Sequence, residues 1–212
     1  LWRIRDFVRD GGAFLMLGGA RTFSEGDYFG TEITEILPIE IDRSTGNGET
    51  LDQELFAPRL TSAGKVHPVT RLTPNPSENE RLWNDVPKLE GVNKSLRLKP
   101  GATRILEHPT LLDSRGEAMP VVAAAEAGEG RVLTVMTDST WRWTFSEELK
   151  GSSLYSPFFE NAIRWLTRDP ELELIRVELS ESQPTTGADV TVRVQVFDTN
   201  YNPAPDLSLI HI

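Results

Sequence analysis

Residues 119–143, MPVVAAAEAGEGRVLTVMTDSTWRW, constrain the fold more than any other stretch of this chain. Residues 121–125 read as a strand, Gly128, Glu129 and Gly130 as a tight turn, and residues 131–136 as a second strand. Pro120 fits the first residue of a strand, where a missing N–H is tolerated, and the glycines supply the positive φ that a short hairpin needs. Val132, Leu133, Thr134, Val135 and Met136 form an almost unbroken apolar run, as expected of a strand covered on both faces. The polar loop behind it, Thr137 to Trp143, therefore leaves the carboxyl end of a core strand, where open α/β sheets place their ligand crevices.

A second glycine-bounded unit opens the chain. Leu1, Ile4, Phe7 and Val8 share one helical face, Arg3, Arg5, Asp6 and Arg9 the other, and Gly11-Gly12 ends the helix. Residues 13–17, AFLML, then read as a short buried strand running into Gly18-Gly19. Helix, glycine pair, apolar strand, glycine pair is the pattern of an α/β unit, so both apolar strands are expected inside a central, mostly parallel sheet. Residues 31–37 read as helical turns stopped by Pro38, and residues 43–55 as an acidic surface loop. Within 56–118 the expected elements are short strands near 95–98 and 103–107 and a helical turn at 79–83 that packs Trp83. Residues 156–168 carry Ser156 as an N-cap, Pro157 at the first helical position, and an apolar stripe of Phe158, Phe159, Ala162, Ile163 and Leu166.

The texture changes after Pro170. Ile175, Val177 and Leu179 alternate with polar residues, as do Val190, Val192, Val194 and Val196, which predicts half-buried antiparallel strands. The expected organisation is an α/β domain over residues 1–170, incomplete at its start, and the beginning of an immunoglobulin-like β-sandwich over 172–212. A chain that opens at Leu1 inside a helix and stops within a β domain reads as an excerpt of a longer protein.

Charge and composition exclude several functions. The net charge of −10 and scattered basic residues argue against a nucleic-acid surface. The absence of cysteine removes disulfides, thiolate metal sites and a Cys nucleophile together. No apolar run reaches the roughly 20 residues of a membrane span. Gly18-Gly19-Ala20-Arg21 lacks the glycine spacing of a dinucleotide fingerprint, the Gly-Lys-Ser/Thr of a phosphate loop, and the Ser or Cys of a nucleophile elbow. His67 and His108 have no partner at metal-ligand spacing, so neither a metal nor another cofactor is expected.

Four segments together carry a resemblance: DGGAFLMLGGARTF at the start, GKVHPVTRL at 64–72, LWNDVPKLEGVN at 82–93 with LKPGA at 98–102, and GEGRVLTVMTDSTWRW at 128–143. Over residues 1–168 the chain resembles the glutamine amidotransferase-like domain of large bacterial membrane-anchored proteins. This implies a three-layer flavodoxin-like sheet with helices on both faces and a place in the bacterial envelope, anchored through segments outside this stretch. Enzymes of the related class I amidotransferases carry a Cys at the elbow after a core strand and a His-x-Glu pair after a later one. In this chain the elbow falls at Gly19 or Ala20 and the pair within 138–141, which reads Asp-Ser-Thr-Trp. The resemblance thus implies a domain without the machinery of glutamine hydrolysis.

The expected function is a catalytically inactive scaffold or interaction domain, partnered by other domains of the same chain or by an envelope complex. Two alternatives remain. One is a crevice for a carbohydrate or small ligand, built from Gly18, Gly19, Arg21, Asp138, Ser139, Trp141, Arg142 and Trp143, in which tryptophans two apart in an extended loop point the same way and offer a stacking surface. Against it stands packing of both rings into the core. The other is a divergent hydrolase using Ser139 beside Asp138, which would need His67 or His108 as its base.

Overall fold

A computed structural model of the chain describes residues 1–43, 50–144, 153–172, 175–179 and 192–197. It divides into two units, Leu1–Thr167 and Arg168–Ile212. The sheet of the first unit runs, in spatial order, β1 (Ala13–Leu17), β9 (Gly130–Val135), β8 (Ala118–Ala127), β7 (Thr103–Leu112) and β4 (Arg59–Leu60). β1 and β9 are parallel, with Ala13 opposite Arg131 and Leu17 opposite Val135, and the other pairings are antiparallel. This mixed sheet, flanked by helices, has the flavodoxin-like character that the resemblance implies.

Two expectations are corrected. The sheet is not mostly parallel, because a turn as short as the one at Glu129 can join only antiparallel strands. Gly128 has φ +63°, and a Cβ on Gly130 would lie 1.9 Å from the carbonyl oxygen of Val8, so this turn is packed against backbone. Nor is β1 an interior strand: among the described strands it lies at the sheet edge, and Leu17 is exposed. Its apolar sequence reflects the layers around it. α5 (Tyr155–Leu166) packs on β1 and β9, and α1 (Trp2–Arg9) packs on β9. Apolar runs report whether the faces of a strand are covered and carry no information about its hydrogen-bonding edge. β9, buried from Val132 to Val135, is interior as expected.

α1 forms where its periodicity predicts, but its apolar stripe is turned outward. Arg5 and Arg9 reach Glu35 on α2 (Glu32–Ile36) at 3.2 and 2.7 Å, and of the four apolar residues only Val8 is buried. Trp2 and Phe7 are 54% and 62% exposed. In α5, Phe158, Ala162 and Leu166 are buried and Ile163 is exposed, so the buried stripe is narrower than the sequence implies. That helix begins at Tyr155 after Leu154 rather than being capped by Ser156, and Pro157 falls within its first turn.

Smaller ladders surround the sheet. β2 (Ile39–Glu40) pairs with β6 (Arg97–Leu98), and β3 (Leu51–Phe56) pairs antiparallel with β5 (Leu89–Asn93). β3 replaces the surface loop expected through residue 55; residues 44–49 lie outside the described residues. Only Phe56 in β3 is buried, so no apolar alternation marked it, and Gly91 interrupts the pattern of β5. α3 (Ser62–Val66) precedes α4 (Pro76–Asn84), whose N-cap Asn75 accepts the N–H groups of Ser77 and Glu78 at 3.0 and 3.2 Å. α4 delivers Trp83 into the core, its Nε1 donating to Thr70 O at 2.8 Å. β7 and β8 are longer than predicted. Pro120 is the third residue of β8, at a register irregularity opposite Glu107 where a missing N–H is tolerated.

In the second unit, β10 (Ile175–Leu179) and β11 (Val192–Val196) pair antiparallel, with Ile175 opposite Val196 and Leu179 opposite Val192. Val190 and the residues after 197 lie outside the described residues, and with them the rest of the expected sandwich.

Candidate functional site

Parallel pairing of β1 and β9 brings their carboxyl ends side by side, so Gly18-Gly19 and Thr137-Asp138 meet although more than a hundred positions separate them. Gly18 donates to Val135 O at 2.6 Å, extending the ladder by one residue. A Cβ on Gly18 would lie 2.3 Å from the backbone nitrogen of Thr137, so the chains touch at van der Waals distance only because position 18 has no side chain. Gly19 adopts φ +143°, and a Cβ there would meet Asp138 Oδ2 at 3.3 Å.

The third wall comes from β5. The buried Asn93 side chain clasps one residue of the turn, its Oδ1 accepting the Gly19 N–H at 2.8 Å and its Nδ2 donating to Gly19 O at 3.0 Å. Its backbone N–H donates to Met136 O at 2.7 Å, so Asn93 ties both strand ends together. Between these walls is a cleft of about 190 Å³, bordered by Gly19, Ala20, Gln53, Glu90, Asn93 and Asp138 among others. Among the described residues its ionisable lining consists of the carboxylates Glu90 and Asp138, of which Glu90 is ion-paired with Arg142.

The candidate residues divide according to this geometry. Gly19 and Asp138 border the cleft, and Gly18 forms the contact behind it. Arg21 is exposed and does not border the cleft. Ser139 is buried; its Oγ accepts the Glu90 N–H at 2.9 Å and lies 2.8 Å from Thr137 Oγ1. Arg142 donates from Nε to Lys88 O at 3.0 Å and pairs with Glu90 at 3.0 Å, joining the loop to the cleft wall.

The tryptophans do not point the same way. Residues Ser139–Thr144 form a 3-10 helix, in which side chains two apart diverge by about 120°. Trp143 is 0% exposed, donates from Nε1 to Pro87 O at 3.2 Å, and packs edge-on against Trp83 and Phe158 at 5.7 and 5.3 Å. Trp141 is 54% exposed, with the Arg142 guanidinium 5.8 Å from its ring centre.

Neither histidine borders the cleft. His67 Nδ1 accepts the Val69 N–H at 3.2 Å, and the ring leans on Trp165. Burial, with a smaller push from Arg131, lowers its pKa to about 4. His108 Nδ1 accepts the N–H groups of Thr110 and Leu111, and burial lowers its pKa, opposed in part by Asp52. Both rings cap backbone. Because His67 titrates lower in the folded state, the unfolded chain takes up its proton first as the pH falls. Its stabilising contribution is complete above pH 6.5 and is lost towards pH 4. The full shift corresponds to roughly 3 kcal/mol. Thermal unfolding of the wild type should therefore steepen in pH dependence across that window, and His67→Gln should remove the extra slope.

Sequence reasoning missed Asn93 and Glu90. Residues 84–93 entered only through the resemblance, and no spacing marks an asparagine at a strand end as a brace for a turn 74 residues away. Among the described residues no group of three or more His, Asp or Glu could hold a metal ion, and no helix is long and apolar enough to cross a membrane.

Two solved structures from Salmonella typhimurium share the fold. The cytoplasmic protein STM3548 has a TM-score of 0.56 at 20% identity, and the cytoplasmic protein STM1381 of strain LT2 has 0.57 at 19%. Each comparison covers 77% of this chain, and this chain spans 58% of the length of either protein. No curated protein matches the chain. The family model GATase1_like, described as "Putative glutamine amidotransferase", matches residues 1–168, and the chain belongs to that family.

Proposed function

We propose that residues 1–168 form a catalytically inactive amidotransferase-like scaffold or interaction domain, one that does not hydrolyse glutamine. The observation that carries this reading is the chemistry of the crevice. At the elbow stand Gly19 and Ala20, and beside them Asp138 has no imidazole within its cleft among the described residues. A nucleophile and its base act as a unit, so their joint loss leaves no residual route by that mechanism. The divergent-hydrolase alternative gains no support from Ser139, which does not border the cleft and whose Oγ is committed to the Glu90 N–H and to Thr137 Oγ1.

The partners in this proposal are other domains of the same chain or an envelope complex. The outward apolar residues of α1 favour an interaction role, since exposed clusters of this kind mark contact surfaces. The setting in a membrane-anchored envelope protein rests on the family resemblance. Recovery of the full-length protein in the soluble fraction after cell breakage would count against it.

The direct test is ammonia release from glutamine. The expected rate equals the no-protein blank, and Ser139→Ala leaves it there. Release above the blank that Ser139→Ala abolishes would replace this reading with a divergent enzyme.

A further inference from the structure

We infer that the cleft between Gly19, Asn93 and Asp138, together with Trp141, is a recognition site for a single pyranose ring without negative charge. This inference rests on the proposal that the crevice is not catalytic. Four observations lead to it.

The first is size. At about 190 Å³ the cleft is smaller than the roughly 300–1,000 Å³ sites of drug-sized ligands. It admits one small ring, such as a monosaccharide or the last residue of a glycan. The second is the type of polar group. Glu90 and Asp138 contribute carboxylates and Gln53 a carboxamide, planar groups whose paired oxygens, or oxygen and nitrogen, meet adjacent hydroxyls. The lining holds acceptors in excess of donors, which suits a ligand rich in O–H groups; Arg142 offsets the charge of Glu90, and Asp138 is the carboxylate that disfavours uronates, sialates and phosphates.

The third is rigidity. The Asn93 side chain bonds both polar groups of Gly19, and Ser139 holds the Glu90 backbone, so the cleft walls are fixed before a ligand arrives. The glycine at 19 leaves its backbone open to close approach. The fourth is the aromatic surface. Glu90 borders the cleft and pairs with Arg142, whose guanidinium lies over one face of the Trp141 ring, so this half-exposed indole stands outside the cleft lining, one side chain beyond the carboxylate wall. A half-exposed aromatic ring at the rim of a site with hydroxyl acceptors is a combination that holds a sugar, with the ring's uncovered surface stacking on the C–H face of the pyranose and the carboxylates taking its hydroxyls.

The test uses the whole 212-residue chain with methyl β-D-glucoside, methyl β-D-galactoside and methyl N-acetyl-β-D-glucosaminide as probes. Sodium glucuronate and ethylammonium serve as the anionic and cationic controls. Binding is read by saturation-transfer NMR and by tryptophan fluorescence. We expect at least one neutral glycoside to bind in the millimolar range and glucuronate not to bind. Trp141→Ala should weaken binding about five- to tenfold, Trp141→Phe should retain most of it, and Asp138→Asn should weaken it without abolishing it. Trp141 is exposed, so circular dichroism of these variants should match the wild type.

Absence of binding by every glycoside at tens of millimolar overturns the inference, as does unchanged affinity in Trp141→Ala. Ethylammonium binding that Asp138→Asn abolishes and Trp141→Ala leaves intact would make the cleft a cation site and also overturn it. A chain without glutaminase activity that binds no glycoside defeats this inference alone and leaves the non-catalytic reading standing.

Discussion

Trp143→Ala should destabilise the first unit by about 3–5 kcal/mol, the range for removing a large aromatic from a packed core, whereas Trp141→Ala should change stability by less than about 0.5 kcal/mol. The two residues share a type and a loop, and the tertiary setting alone separates them. Trp143 is fully buried and edge-on to Trp83 and Phe158, rings delivered by α4 and α5. Its loss opens a cavity where three elements meet and leaves the carbonyl of Pro87 without its indole donor. Urea unfolding followed by far-ultraviolet circular dichroism measures both variants. Equal midpoints would mean that the aromatic triad is not part of the cooperative core.

The second large effect concerns the floor of the cleft. Gly18→Ala should cost about 3 kcal/mol, near the upper end for overpacking, because the new Cβ would sit 2.3 Å from the Thr137 nitrogen and 2.4 Å from the Met136 carbonyl carbon. Both obstacles are backbone, so no rotamer change relieves them and the ends of β1 and β9 must separate. Gly19→Ala should cost less. Its neighbour is the exposed end of Asp138, and the remaining penalty is that of forcing an L-residue to φ +143°. Thermal unfolding ranks the two variants, and amide exchange at Gly18, whose N–H donates to Val135 O, reports whether the ladder has opened. A Gly18→Ala protein as stable as the wild type with its exchange unchanged would show that the two loops are not in contact.

Local chemistry was enough to locate much of the fold. β1, β9, α1, α2 and α5 stand where apolar runs and helical periodicity put them, because each has a face that must leave water and glycines or prolines that mark its ends. The meeting of Gly18-Gly19 with Asp138 was also legible, since both loops leave the carboxyl ends of apolar strands and the adjacent pairing of those strands brings them together. What those signals could not carry was the direction in which a face points or what lies beside an edge. Leu1, Ile4 and Phe7 form a sound apolar stripe, yet Arg5 and Arg9 pairing with Glu35 turns it to solvent. β1 has the composition of an interior strand and lies at an edge, because composition records coverage of the faces and edge pairing is made by backbone that every residue shares.

The absence of Cys at 19 or 20 and of His and Glu within 138–141 was written in the sequence alone, and it is the ground of the proposal that this domain does not hydrolyse glutamine. Tertiary structure decided the rest of the site. Folding of 139–144 into a 3-10 turn sent Trp143 inward and left Trp141 outside, and the ladder of β3 and β5 placed Asn93 and Glu90 against a glycine turn far away in the chain. Those contacts are long-range, made by polar side chains and backbone rather than by a repeating apolar pattern, and only the assembled fold brings their partners within hydrogen-bonding distance.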